Sequence, residues 1–208
     1  LARALAPHPN LLMLDEPLGA LDRNLRERLV FDLRNILQKS HQTAIDGTHD
    51  QEEAFVIADR VIIMNKGRIA QIGTPEQIYK YPSCRFVANF LGLSNQVDGE
   101  VVMQDGKFIV HTSIGDYPLQ GWDTLGNVTV LLRPDTIQAG KAGEHNLTGV
   151  VEDVTFRGSA SKVTITIAQH LFTFNFPSNT FLPTRGETVT ISFNPDEALQ
   201  IFPDDCPD

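Results

Sequence analysis

The sequence predicts an α/β half followed by an all-β half, the second a small β-barrel or sandwich. Up to about residue 94, short apolar runs alternate with segments of helical period, as strands and helices do when they take turns along a chain. From Asn95 the helical period is gone, and short alternating segments succeed one another between Gly, Asp and Pro, the pattern of closely spaced antiparallel strands. The 208 residues suffice for two small domains, each with its own core. A boundary is therefore expected near residues 93 to 98, dividing segment 1–94 from segment 95–208.

Leu1-Ala2-Arg3-Ala4-Leu5-Ala6 reads as the tail of a helix, and with Leu at residue 1 the chain is expected to begin in mid-domain. Leu11-Leu12-Met13-Leu14-Asp15-Glu16-Pro17 is a short apolar run stopped by a proline. It predicts a strand buried on both faces, as in a parallel sheet covered by helices. Asp15 and Glu16 then stand at the strand's carboxyl end, the edge where open α/β sheets bind ligands. Pro17 to Asp22 is a loop whose Asp22 can cap the next helix. Leu25, Leu29, Leu33 and Ile36/Leu37 recur at helical spacing and predict that helix to be amphipathic and about four turns long.

Thr43 to Thr48 predicts a second strand that delivers His49 and Asp50 at its own carboxyl end. Asp46 and Gly47 sit badly there, because an unpartnered carboxylate in a central strand is costly and Gly weakens the strand. Asp50 with Glu53 predicts an N-cap with a capping-box partner. Val61 to Met64 and Arg68 to Ile72 predict a hairpin turning at Gly67, and Thr74-Pro75-Glu76-Gln77 opens another capped helix. A last helix, about Cys84 to Leu91, is expected to stop at Gly92. Beyond it the pattern marks seven strands: Gly99 to Met103, Lys107 to Thr112, Val128 to Arg133, Thr148 to Phe156, Lys162 to Ile167, Leu171 to Asn175 and Thr188 to Phe193. Asp204 to Asp208 reads as a frayed acidic end.

Composition narrows the possible functions. A hydrophobic content of 41% and a charged content of 21% are ordinary for a globular protein. The formal charge of -9 argues against a nucleic-acid footprint, which needs a surplus of Lys and Arg, and one Trp with three Tyr offers little base stacking. No apolar run reaches the length of a membrane span. Cys84 and Cys206 are far apart with no metal-type spacing, and they are read as reduced thiols.

Leu1-Ala2-Arg3-Ala4-Leu5, Leu11 to Pro17, Leu18-Gly19-Ala20-Leu21-Asp22 and Thr48-His49-Asp50-Gln51-Glu52-Glu53-Ala54 together resemble the second half of an ABC transporter ATP-binding subunit. Ala58-Asp59-Arg60, Gly67-Arg68-Ile69 and Gly73-Thr74-Pro75-Glu76-Gln77-Ile78-Tyr79 continue the match in order. Phe86 to Gly92 resembles the linker of importers that carry an OB-like regulatory domain of the transport-associated (TOBE) type. Leu131-Leu132-Arg133-Pro134-Asp135, Gly149-Val150-Val151 and Phe156-Arg157-Gly158 look like that domain's own motifs. The resemblance implies a partial P-loop NTPase (RecA-like) parallel sheet followed by an OB-like β-barrel or sandwich. It also implies a place on the cytoplasmic face of the membrane and the ligands ATP and Mg²⁺. The implied partners are a second ATPase subunit or identical copy, transmembrane permease subunits and, indirectly, a substrate-binding protein. Cargo of the ferric iron, sulfate, polyamine or sugar type is not encoded in any single residue.

Residue by residue, the resemblance implies that Asp15 holds the Mg²⁺ of MgATP, usually through water. Glu16 would be the general base toward the attacking water, and His49 the switch histidine at the γ-phosphate. Asp22 would be the D-loop aspartate that meets the partner subunit, a role compatible with capping a helix. No Gly-x-x-x-x-Gly-Lys-Ser/Thr loop occurs in the sequence, since Gly106-Lys107 and Gly140-Lys141 lack its glycine and hydroxyl, and the Leu-Ser-Gly-Gly-Gln signature is absent as well. The chain is therefore expected to be the carboxyl part of a subunit, neither binding ATP tightly nor hydrolysing it alone. The alternatives are a non-catalytic regulatory and dimerisation module and, disfavoured by charge, an oligonucleotide-binding OB domain.

Overall fold

A computed structural model describes residues 2–19, 21–140 and 145–202 and divides the chain into two compact units, Leu1–Tyr81 and Pro82–Asp208. The first unit contains α1 (Ala2–Leu5), β1 (Leu12–Asp15), α2 (Arg23–Lys39), β2 (Ala44–Gly47) and α3 (Gln51–Ile57), then the strands β3 (Val61–Asn65) and β4 (Arg68–Gly73) and the helix α4 (Pro75–Lys80). β1 and β2 pair in parallel with Asp15 opposite Gly47. The long connection through α2 is the crossover that parallel neighbours require.

Among the described residues this parallel sheet has two strands. Leu12 packs with Leu33 and Leu37, whereas Met13 and its cross-strand partner Ile45 are 73% and 55% exposed. The expectation of a strand buried on both faces is thus corrected: helix covers one face only. The buried stripe of α2 is Val30, Leu33 and Leu37, while Leu25 and Ile36 from the sequence-derived face lie outside. A two-strand sheet presents too narrow a surface to cover all of them.

The hairpin β3–β4 turns through Lys66 and Gly67, both at positive φ, as a two-residue primed turn demands. At α4, Thr74 accepts from the Gln77 N–H and Gln77 reaches back to the Thr74 N–H, the reciprocal capping box read from the sequence.

The second unit opens with α5 (Arg85–Phe90) and builds two sheets. Their strands are β5 (Gln96–Gln104), β6 (Lys107–Thr112), β7 (Gly115–Leu119), β8 (Gly126–Leu132), β9 (Gln138–Ala139), β10 (His145–Phe156), β11 (Ala160–Ile167), β12 (His170–Pro177), β13 (Thr188–Phe193) and, after α6 (Pro195–Ala198), β14 (Leu199–Phe202). The orders are β14-β8-β5-β6-β7 and β12-β11-β10-β13-β9, with antiparallel pairings. One core joins them: Val101, Val110 and Val130 of the first sheet cluster with Ile165, Phe172 and Ile191 of the second. Among the described residues the chain is therefore mostly β, as expected beyond residue 95.

Three strands escape the sequence pattern. β7 contains Pro118, which a ladder tolerates only at an edge, and β7 is an edge strand. β9 has two residues and β14 four, too few for alternation to register. The unit boundary falls before α5, which the sequence places with the first half. Arg85 bonds Thr129 Oγ1 at 2.9 Å and ion-pairs with Asp98, so α5 is fastened to the β unit by polar contacts that no local pattern announces. Cys84 is fully buried and disulfide-bonded, which corrects the reading of it as a reduced thiol; Cys206, Lys141 and the acidic end lie outside the described residues. No described helix is long and apolar enough to cross a membrane.

Burial, with Asp116 adding to it, pushes the Tyr117 hydroxyl up to about 12, so it stays protonated and donates to the Ile114 carbonyl at 3.0 Å. At Gly149 a Cβ would press on the Thr166 carbonyl oxygen and lie 2.7 Å from both Ile165 Cγ2 and Ile167 Cγ1. Gly149→Ala is therefore expected to destabilise the unit by about 1–3 kcal/mol through overpacking, read as a lower urea midpoint with unchanged slope.

Candidate functional site

The carboxyl ends of β1 and β2 bring three of the sequence-derived residues to one rim. Asp15 ends β1 opposite Gly47, and its carboxylate is exposed. The next residue, Glu16, turns the chain at φ 46, its N–H donating to the Gly47 carbonyl at 2.9 Å. Glu16 Oε1 then accepts from the His49 N–H at 3.2 Å and lies 2.5 Å from His49 Nδ1. The hydrogen bond to Glu16, reinforced by that residue's charge, raises the His49 pKa above its ordinary value, so the pair favours imidazolium against carboxylate.

Asp22, the fourth sequence-derived residue, is engaged at the start of α2. It is the N-cap, and its Oδ1 accepts from the Leu25 N–H at 3.1 Å. Gly19, between Glu16 and Asp22, sits where a Cβ would come 3.2 Å from Glu16 Oε2, so this loop folds back against the Glu16 carboxylate.

The capping box expected at α3 forms differently. Asp50 Oδ1 accepts from the Glu52 and Glu53 N–H groups at 3.0 and 3.2 Å, but the Asp50 N–H donates to Thr48 Oγ1 at 3.0 Å. Glu53 cannot return the bond because its side chain is turned inward, 1% exposed. There it lies beside Asp46, to which it is hydrogen-bonded when one of the two acids carries a proton; the buried Asp46 oxygens and Glu53 Oε1 accept from no other described group. Burial raises the pKa of both acids, and for Glu53 the charge of Asp46 adds to it. Asp50 goes the other way. Burial opposes its ionisation, but the Glu53 N–H, Arg26 and the Glu52 N–H outweigh that and lower its pKa.

Because Asp46 and Glu53 hold protons more tightly when folded, they stabilise the fold most below the ordinary carboxyl range, 3.8 for Asp and 4.5 for Glu. That contribution is lost as pH rises through their elevated folded-state values. Asp46→Val, the β-branched residue a buried strand prefers, is expected to flatten this dependence and to raise stability at neutral pH by about 1–2 kcal/mol. Urea melts across mildly acid to neutral pH check it, and an unchanged slope of stability with pH would remove Asp46 as the cause.

Sequence reasoning missed Arg26. From α2 it donates to Asp50 Oδ2 at 2.9 Å and to the Gly19 and Leu21 carbonyls at 3.2 and 3.1 Å. Asp50 is 24 residues away, so no short spacing could have found the pair. The donor set fits the expected ion sparingly. Among the described residues no group of three or more His, Cys, Asp or Glu could hold a metal ion. One exposed carboxylate, Asp15, does suit a Mg²⁺ that keeps most of its water and takes the rest of its ligands from phosphate oxygens.

With a paired two-sheet β unit and an acid–imidazole rim in place, comparison with known proteins gives the class first. Residues 130–201 match the TOBE domain family. Over nearly its whole length the chain is similar to ATP-binding proteins of import systems. The spermidine/putrescine import ATP-binding protein PotA of Onion yellows phytoplasma is 38% identical over 199 residues, covering 95% of this chain and 46% of that protein. The Fe(3+) ions import ATP-binding protein FbpC of Streptomyces coelicolor is 48% identical over 159 residues, covering 76% and 44%. The chain thus spans about half the length of the curated relatives it matches. Among solved structures, the cytoplasmic molybdate-binding protein ModG aligns with a TM-score of 0.43 at 12% identity, covering 53% of this chain and 96% of that one.

Proposed function

We propose that the chain is the carboxyl-terminal portion of an ATP-hydrolysing subunit that powers an ABC importer, with segment 1–94 completing a RecA-like ATPase domain and segment 95–208 serving as a TOBE-type regulatory domain. The observation that carries this is the rim itself: Asp15 and Glu16 at one strand end, with His49 Nδ1 2.5 Å from Glu16 Oε1 at the next. Similarity to import ATP-binding proteins across 95% of the chain supports it.

In this reading MgATP, when bound, would supply the electrophilic phosphorus and a counter-charge for the carboxylates. Asp15 would hold the Mg²⁺ through water. Glu16 would accept the proton of the attacking water, and His49 would contact the γ-phosphate. Asp22 faces a second subunit. The partners are a second ATPase subunit and membrane permeases, and the chain works peripherally on the cytoplasmic face. Polyamine and ferric-iron cargo are those in the names of the two relatives; no single residue of this chain encodes the choice.

The test joins the portion of the phytoplasma PotA that this chain does not match to residues 1–208 and measures ATP turnover. The chimera is expected to hydrolyse ATP and the chain alone to show neither turnover nor saturable micromolar binding. A chimera that folds and binds ATP without turning it over would refute the reading. The second reading is a non-catalytic regulatory and dimerisation module, in keeping with a TOBE domain at residues 130–201; light scattering on residues 95–208 tests it, a dimer supporting and a monomer rejecting it.

A further inference from the structure

Two loops must keep their relation if Glu16 and His49 are to meet: the turn after β1, which carries Glu16 and returns along it through Gly19, and the segment from Thr48 to Asp50, which carries His49. Among the described residues the backbone joins them at one point, the Glu16 N–H to the Gly47 carbonyl. Beyond that point the first loop turns on its own backbone bonds, the Gly19 N–H to the Glu16 carbonyl at 3.2 Å and the Leu21 N–H to the Leu18 carbonyl at 3.1 Å, and what ties it to the second segment is side chains.

Arg26 is placed to do this holding. Its N–H is tied into the first turn of α2 through the Asp22 carbonyl at 2.9 Å, so its stem is anchored to a 17-residue helix. One terminal nitrogen reaches Asp50 Oδ2, and the other splits between the Gly19 and Leu21 carbonyls. Asp50 divides its oxygens in turn, Oδ1 capping α3 and Oδ2 receiving the guanidinium. Both side chains are part-buried, 30% and 25% exposed, so the pair is shielded more than a surface ion pair. A planar fork holds its donors in fixed, spread directions toward two carbonyls and a carboxylate, whereas an ammonium gathers its three on a single nitrogen.

We propose that Arg26 is a positioning residue, a clamp that fastens the loop carrying Glu16 and Gly19 to the segment carrying His49 and Asp50, so that the acid and the imidazole are presented as one unit. Its consequence for turnover rests on the ATPase reading; the clamp itself does not.

The test uses the 208-residue chain without nucleotide and reads amide exchange at Gly19, Leu21, Glu52 and Glu53 together with the NMR titration of His49. Arg26→Gln is expected to speed exchange in both loops by about tenfold or more, the scale of a lost charged hydrogen bond. It should also move the His49 midpoint upward, since the guanidinium charge opposes the imidazolium. Arg26→Lys restores the charge, so the midpoint returns while exchange stays fast. Asp50→Asn keeps a good N-cap but loses the ion pair, so exchange quickens at Gly19 and Leu21 while Glu52 and Glu53 stay slow, and this variant decides the matter if Arg26→Gln does not fold. Unchanged exchange at Gly19 and Leu21 in Asp50→Asn, or slow exchange fully restored by Lys, would overturn the clamp. A clamp that fails while the chimera hydrolyses ATP sinks this inference alone; a chimera without turnover leaves the exchange data to judge it.

Discussion

Glu16→Gln in the ATP-hydrolysing chimera is expected to lower turnover by about 10²–10⁴-fold, the scale of losing a positioned general base, with the KM for ATP little changed. The substitution keeps the side chain's size and an oxygen that can face His49, so the contacts at the rim, to the His49 N–H and Nδ1, have an isostere to form with. What Gln cannot do is take a proton from water. A loss confined to kcat is the signature of an interaction made only in the transition state. If the variant retained more than about a tenth of the activity, Glu16 would not be the base, because a factor that small lies within what altered hydration alone can do.

Asn95→Ala is expected to cost about 2–6 kcal/mol of stability, the sum of two part-buried bonds left unmade. Asn95 is 2% exposed and holds the two sheets of the β unit together. Its carbonyl accepts from the Leu132 N–H of β8 at 2.8 Å. Its side-chain amide donates to the Thr173 carbonyl and accepts from the Thr173 N–H at 2.8 and 2.7 Å, copying a strand along the open edge of β12. Truncation leaves both Thr173 groups, which are partly shielded from water, without these bonds, at about 1–3 kcal/mol each. The edge itself then lies open to pairing with another chain. Urea denaturation followed by circular dichroism checks the loss, and dynamic light scattering the association. A cost under about 1 kcal/mol would mean that water takes over both bonds.

Much of the fold was legible because its signals are local. The capping box at Thr74, the Gly67 turn and the change from helical period to alternation at Asn95 each lie within a few residues, and each depends on backbone sterics or on one face being buried. The rim was legible too, in that the apolar run ending in Asp15-Glu16 and the segment Thr43 to Thr48 before His49 were placed as neighbouring strands with these residues at their ends. The double burial of β1 was not, because burial is set by what packs against a strand rather than by the strand's composition. The capping box at Asp50 failed for a related reason: Glu53 has the right spacing, but Thr48 supplies the competing hydroxyl and the interior takes the carboxylate.

The sequence by itself determined the order of elements, the switch from α/β to β and which side chains stand at the strand ends, since short-range periodicity and breaker residues encode all three. Only the tertiary structure decided that Arg26 ties the loop before its own helix to Asp50, 24 residues further on, that Asn95 stands in for a strand against Thr173, and that Asp46 and Glu53 bury their carboxyl groups beside each other. Those are contacts made by side chains whose partners are fixed by packing and desolvation, two of them between residues far apart in the chain and the third, Asp46 with Glu53, between neighbours whose inward turn no local pattern announces.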